Sequence, residues 1–238
     1  MALYTASTVA ALAAKVRRSL RDAGGAVFST DQITDFINYG LGELSVIRPV
    51  ETTVVINSAE KLTGIDATPG AYTTLDLDYV WAVEVYGLPN TQYDGHTQYI
   101  SPEDSGTNWR NGWDFVGGML VLPQSTVNWL TDVWALPVPT HALRVRGYRH
   151  RKKIADLTTG SADLSSLPEE QAVVVLAQQA GFEAMMNDRA LYQQWQTATH
   201  ATDVSPTQLT NMAYGAQAKW DRMRKHLYLI RRPLQGAQ

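Results

Sequence analysis

The 238-residue chain contains no cysteine, which excludes a disulfide scaffold, a thiolate zinc site, an iron–sulfur cluster and a cysteine nucleophile. It also has no apolar run of about 18 residues, so no segment is expected to span a membrane. No H-E-x-x-H, G-x-S-x-G or phosphate-cradling glycine loop occurs, and Gly117-Gly118 reads as a turn. In the amino-terminal MALYTASTVAALAAKVRRSL the basic residues follow the apolar stretch, the reverse of a secretory signal, so synthesis and folding are expected in the cytoplasm. A hydrophobic fraction of 45 % is enough for a core without covalent staples.

Charge is sparse, at 18 % of residues, and unevenly placed. The net −3 divides into −9 over Glu51–Thr140, where Lys61 and Arg110 are the only bases, and +6 over the rest. So acidic a middle repels DNA, while the flanks suit an anion or acidic partner; equally, parts of opposite sign help neighbouring copies stack.

Periodicity predicts helices before residue 50 and after about 165, with strands between. Val9, Leu12, Val16 and Leu20 form one stripe of a first helix from about Thr8 to Asp22, broken by Gly24-Gly25. Ser29 and Gln32 make a capping box, and Phe28 is placed to staple onto Ile33. Ile33, Phe36, Ile37, Leu41 and Leu44 carry that second helix to Pro49, and Gly40 and Gly42 suggest a close helix approach. In the middle, Val54/Ile56 and Tyr72–Asp78 alternate, and Val80–Leu88 reads as a strand buried on both faces. Trp113–Val116 and Met119–Leu122 flank Gly117-Gly118 as a tight hairpin; Trp129–Leu136 and Leu143–Tyr148 follow. Five tryptophans (Trp81, Trp109, Trp113, Trp129, Trp134) are candidates for the sheet core. Ser166 with Glu169 predicts another capping box, before a nearly all-apolar helix from Ala172 to Met186. Ala190–Thr197 reads as a shorter helix. Ser205, Pro206 and Gln208 then open a long one on which Leu209, Met212, Ala213, Ala216, Trp220, Met223, Leu227 and Ile230 share a seam. The expected fold is α+β: a helical bundle from residues 1–50 and 157–238 with an antiparallel β insertion at 51–156.

Chemistry is harder to find. His96, His141, His150, His200 and His226 form no metal-ligand spacing, and Asp76 and Asp78 read as the solvated side of an edge strand. No catalytic residue, metal ligand or cofactor site is assigned. Twelve of the 20 lysines and arginines fall in two clusters, Arg144–Lys153 and Lys219–Arg232. Either could grip phosphates or be a solvated face, and the second, interleaved with Trp220, Met223, Tyr228, Leu229 and Ile230, is also what interface cores enrich.

The order of features, with FSTDQITDFINYGLGELSVIRP, then LVLPQSTVNWLTDVWALPVP and HALRVRGYRHRK, then SSLPEEQAVVVLAQQAGFEAMMND and a long amphipathic helix, resembles the head-to-tail adaptor (connector) proteins of tailed bacteriophages that carry a β-domain. The resemblance implies a non-enzymatic structural protein of the virion neck, forming a ring of about twelve copies under the portal protein. Its lumen would continue the channel for genomic DNA, passed non-specifically, and its far side would dock a stopper, tail-terminator or tail-tube protein. It further implies portal contact by Leu227, Tyr228, Leu229, Ile230, Arg231, Arg232 and Pro233. Arg149, Arg151, Lys152 and Lys153 are candidates for a subunit interface or the channel wall. The competing expectation is another tail-completion component, or a carbohydrate-binding one using the tryptophan-rich sheet.

Overall fold

The computed structural model describes residues 5, 7–57, 71–86, 97–100, 113–116, 119–122 and 142–229. It divides into a helical unit, Met1–Pro49 with Arg151–Gln238, and a β unit, Val50–His150. The architecture is α+β, with helices at both ends of the chain and the strands between.

The helical unit contains α1 (Val9–Ser19), α2 (Thr30–Ile47), α3 (Leu167–Asn187), α4 (Arg189–Thr199) and α5 (Pro206–Leu229). Thr8 caps α1 by accepting from the Ala11 N–H, and Val9, Leu12 and Val16 are buried along its stripe. The helix stops before the glycines: Arg21 takes a left-handed φ of +59°, and the Asp22 carboxylate gathers the next turn. The Ser29–Gln32 box at α2 closes in both directions. Phe28 sits edge-on to Phe36, ring centroids 5.6 Å apart. Gly40 is the close approach expected, since a Cβ there would stand 3.0 Å from the Val173 carbonyl oxygen; Gly42 has nothing within 4 Å and plays no such part.

The predicted Ser166–Glu169 box does not form. Ser166 makes no side-chain cap bond, and Ser165 donates to Glu169 instead, through its N–H (2.7 Å) and Oγ (2.9 Å). As the apolar sequence requires, α3 is buried on most sides, with Ala172, Val173, Val175, Leu176, Ala177, Phe182 and Met185 all in the core. Each such large aliphatic side chain contributes about 1.5–3 kcal/mol. Trp195 on α4 is fully buried and donates from Nε1 to the Leu20 carbonyl at 2.8 Å. His200 ends α4 in the left-handed region, φ +53°. On α5, reciprocal Ser205–Gln208 bonds start the helix; of the expected seam Leu209, Ala213, Ala216, Trp220 and Leu227 are buried, Met212 and Met223 are partly buried against them, and Ile230 lies outside the described residues.

In the stretch leading to α3, Asp156 accepts from the N–H and hydroxyl groups of Thr158 and Thr159. Those bonds, the Thr158 hydroxyl first, hold its carboxyl at about 2, below the ordinary 3.8. A depressed carboxylate stabilises the fold above its unfolded value and loses that contribution as pH falls through the folded one. Asp156→Ala should therefore lower the melting temperature at neutral pH, and the gap to the parent protein should close between pH 4 and 2; thermal melts across that range measure it.

The β unit contains β1 (Val50–Asn57), β2 (Ala71–Thr74), β3 (Tyr79–Tyr86), β4 (Thr97–Ile100), β5 (Asp114–Val116), β6 (Met119–Leu122) and β7 (Ala142–Arg149). They form two antiparallel sheets, ordered β1-β7-β3-β4 and β2-β6-β5. Val116 pairs with Met119 across the predicted hairpin, whose Gly117-Gly118 lies outside the described residues. Asp76 and Asp78 lie between β2 and β3, not on an edge strand; both are exposed while Leu75 and Leu77 are buried. Asp78 accepts from the His150 N–H and pairs with its ring at 2.8 Å. Strand β3 is not buried on both faces. Its pairing to β7 shifts register between Val80 and Ala82, Trp81 is 38 % exposed, and the Arg146 guanidinium lies 5.7 Å from the Trp81 ring. Trp113 is buried; Trp109, Trp129, Trp134 and the expected strand at 129–136 lie outside the described residues.

Candidate functional site

The densest polar arrangement among the described residues surrounds the start of α3. Glu169 is fully buried there, 3.0 Å from Arg48 Nε and 3.2 Å from Arg151 Nη2. Arg48 lies just past the end of α2 and Arg151 just past the end of β7, so both chain crossings into the β unit are fastened to one carboxylate. Arg151 adds bonds from Nη2 to the Arg48 carbonyl (3.1 Å), from Nη1 to the Asp163 carbonyl, and from its N–H to Ser45 Oγ (2.9 Å). Burial lowers the Arg151 guanidinium from its ordinary value, while Glu169 and Asp163 pull the other way. One residue on, Glu170 is ion-paired to Lys15 and accepts from Ser7 Oγ at 2.8 Å. Asn38 exchanges two bonds with the Ile154 backbone, at 3.0 and 2.8 Å. Carboxylates suit a helix start, where unpaired N–H groups carry partial positive charge. The carboxylates and both guanidinium groups face partners of their own chain, although Arg151 Nε and Ser166 Oγ are buried without a hydrogen bond; the arrangement is a clasp.

The basic residues singled out in the sequence therefore separate. Arg151 is buried in the clasp, while Lys152 and Lys153 are exposed and Arg149 is half-buried, donating to the His150 carbonyl at 3.1 Å. Of the carboxy-terminal set, Leu227 is a core residue at 1 % exposure. Tyr228 and Leu229 complete α5, and Ile230, Arg231, Arg232 and Pro233 lie outside the described residues. Trp220 also belongs to the core and Met223 packs against it, while Lys219, Arg222, Arg224, Lys225 and His226 are exposed.

Two neighbouring hollows open where α3, α4 and α5 meet. One, about 740 Å³, is bordered by Met185, Tyr192, Gln196, Val204 and Leu209 among others. The second, about 480 Å³, shares Met186 and Thr210 with it and reaches Glu183, Tyr214 and Gln217. Neither gathers an acid–base pair with a nucleophile, and among the described residues no group of three His, Asp or Glu could hold a metal ion. Nearby, Tyr39 on α2 has its phenol raised by burial, with Glu43 and Glu183 adding to it. No helix among the described residues is long and apolar enough to cross a membrane. What the surface does offer is exposed apolar side chains on helices, including Tyr39, Val46, Met186 and Tyr214. Sequence reasoning missed Tyr39 and Val46 because their spacing on α2 continues a helical period, and exposure can be assigned only once the opposite face is known to be covered.

Compared with known families, the chain matches the model described as SU10 adaptor protein over residues 7–222. That span runs through α1, the whole β unit and most of α5. No curated protein matches it.

Proposed function

The chain belongs to the SU10 adaptor protein family, phage head-to-tail adaptors, and on that premise we propose that it forms a ring between portal and tail. The structural role and the place in a virion follow from the family. The ring, of about twelve copies, its position under the portal, a lumen that passes genomic DNA without specific contact, and a far side that receives a stopper, tail-terminator or tail-tube protein are our reading. The observation that carries it is the family match over residues 7–222, joined to helix faces that leave Tyr39, Val46 and Tyr214 exposed among the described residues. Such a role asks for many weak, repeated contacts and a rigid frame, and the Glu169 clasp supplies rigidity within the helical unit. The acidic stretch Glu51–Thr140 suits a surface past which phosphates slide. The sugar-binding alternative draws no support from Trp113, which is buried.

Portal contact is assigned to the chain's end, Tyr228 to Pro233 and the residues after it. Leu227 is excluded as a direct contact because it is in the core. Deleting residues 230–238 should weaken capture by purified portal at least about tenfold, or about 1.4 kcal/mol, with an unchanged circular dichroism spectrum. Capture at parental strength would place the portal contact elsewhere. A deletion beginning at Leu227 would confuse the two effects by opening the core.

A further inference from the structure

Resting on the ring reading, we propose that adjacent copies meet through the outward face of α2 on one copy and the outward face of α5 on the next, acidic against basic. On α2, Ile33, Ile37, Leu41 and Leu44 face the core. The opposite stripe carries Asp31, Asp35, Tyr39 (42 % exposed) and Val46 (69 % exposed), residues at the three- and four-position spacings that share a helix face. The helix contains Asp31, Asp35 and Glu43 and no lysine or arginine. On α5 the stripe opposite the buried seam carries Tyr214 (69 % exposed), Ala218, Arg222 and Lys225. Its one acid, Asp221, accepts from Gln217 at 3.2 Å.

Each stripe also holds a glycine in mid-helix that the chain's own packing does not use. A Cβ at Gly42 or Gly215 would meet nothing within 4 Å, and neither has a left-handed φ; Gly40 and Gly181, by contrast, are pressed against Val173 and Leu20. An exposed mid-helix glycine weakens the helix relative to alanine. A second helix crossing closely at these points supplies the missing reason. The charges then fix which faces meet. Two α2 faces together oppose acids to acids, and two α5 faces oppose bases to bases, whereas α2 on α5 pairs them. A contact between two different faces is head-to-tail, and repeated with a rotation that closes on itself it gives a ring.

The absence of cysteine makes the test clean. Val46→Cys is combined in the full chain with Tyr214→Cys, Ala218→Cys or Arg222→Cys in turn, scanning one helical turn either way, and oxidised with and without purified portal. At least one double variant should give a ladder of covalent multimers beyond the dimer. The corresponding single variants should give no ladder, and their equimolar mixture only dimers. With the Ala218→Cys pair, adding Arg222→Glu and Lys225→Glu should abolish the ladder, and Asp31→Lys with Asp35→Lys should restore it. Multimers seen by native mass spectrometry, with no ladder from any pair, would overturn this contact and leave the ring standing. A ladder indifferent to the charge reversals would overturn the pairing of acidic and basic faces. Monomers in every arm, portal included, would overturn the ring itself.

Discussion

Replacing Glu169 with alanine should destabilise the helical unit by about 3–5 kcal/mol, the cost of leaving a buried charge without its partner. Glu169 is fully buried and receives Arg48, Arg151 and Ser165. Arg151 is itself 6 % exposed, so removing the carboxylate strands a guanidinium that cannot turn to water. Glu169→Gln keeps an acceptor for Ser165 but not the charge, and should recover only a small part of the loss. Replacing Glu169 and Arg151 together by methionine should cost less than Glu169→Ala alone, because the only charge left without its carboxylate is Arg48, which is partly exposed to water. Urea unfolding followed by far-ultraviolet dichroism measures all three. A loss under about 1 kcal/mol for Glu169→Ala would mean that water or a rearranged partner reaches Arg151, contrary to the clasp. Because Arg48 and Arg151 bracket the β unit in sequence, these variants should also make the chain near residues 48–49 and 151–153 more open to protease.

The second large effect is expected at Asp22, 3 % exposed in the turn between α1 and α2. Its carboxylate accepts from the N–H groups of Ala26 (2.8 Å), Val27 (3.1 Å) and Phe28 (3.1 Å). Arg17 Nη1 donates to it at 3.0 Å and to the Phe28 carbonyl at 2.9 Å. Asp22→Ala leaves the Val27 and Phe28 N–H groups buried without acceptors, at about 1–3 kcal/mol each. A total near 3 kcal/mol lowers the melting temperature by roughly 6–12 °C in a chain of this size. Asp22→Asn, which retains one acceptor oxygen, should fall between the two. A melting temperature within about 2 °C of the parent for the alanine variant would show that the turn does not depend on this carboxylate.

The two sites show what the sequence makes legible and what it hides. Local rules worked where all partners lie within a turn of each other: Ser29 with Gln32 and Ser205 with Gln208. The same rule failed at Ser166, since the carboxylate three residues on is claimed by Arg48 and Arg151, residues from distant parts of the chain. Arg151 illustrates the cost of reading a charge run by composition. It sits beside Lys152 and Lys153 in sequence, yet it alone turns inward because the chain bends there onto α3. The end of α1 was placed too late because glycine is the usual marker of a left-handed residue, and here Arg21 adopts it ahead of the Asp22 turn. Trp81 was assigned to a core by its apolar neighbours; a register shift beside it, invisible in sequence, accompanies its exposure. The contact faces were half legible. The basic character of α5 is plain in its sequence, whereas the acidic stripe of α2 acquires meaning only with Tyr39 and Val46 known to be exposed.

The most direct measurement of the whole account is a single-particle reconstruction of virions that carry this chain, with no symmetry imposed on the neck. The account predicts density for a closed ring of copies between portal and tail, centred on the DNA path, with α2 of each copy against α5 of its neighbour. Density for the chain on the capsid surface or at the distal tail, away from the vertex through which DNA leaves, would contradict it.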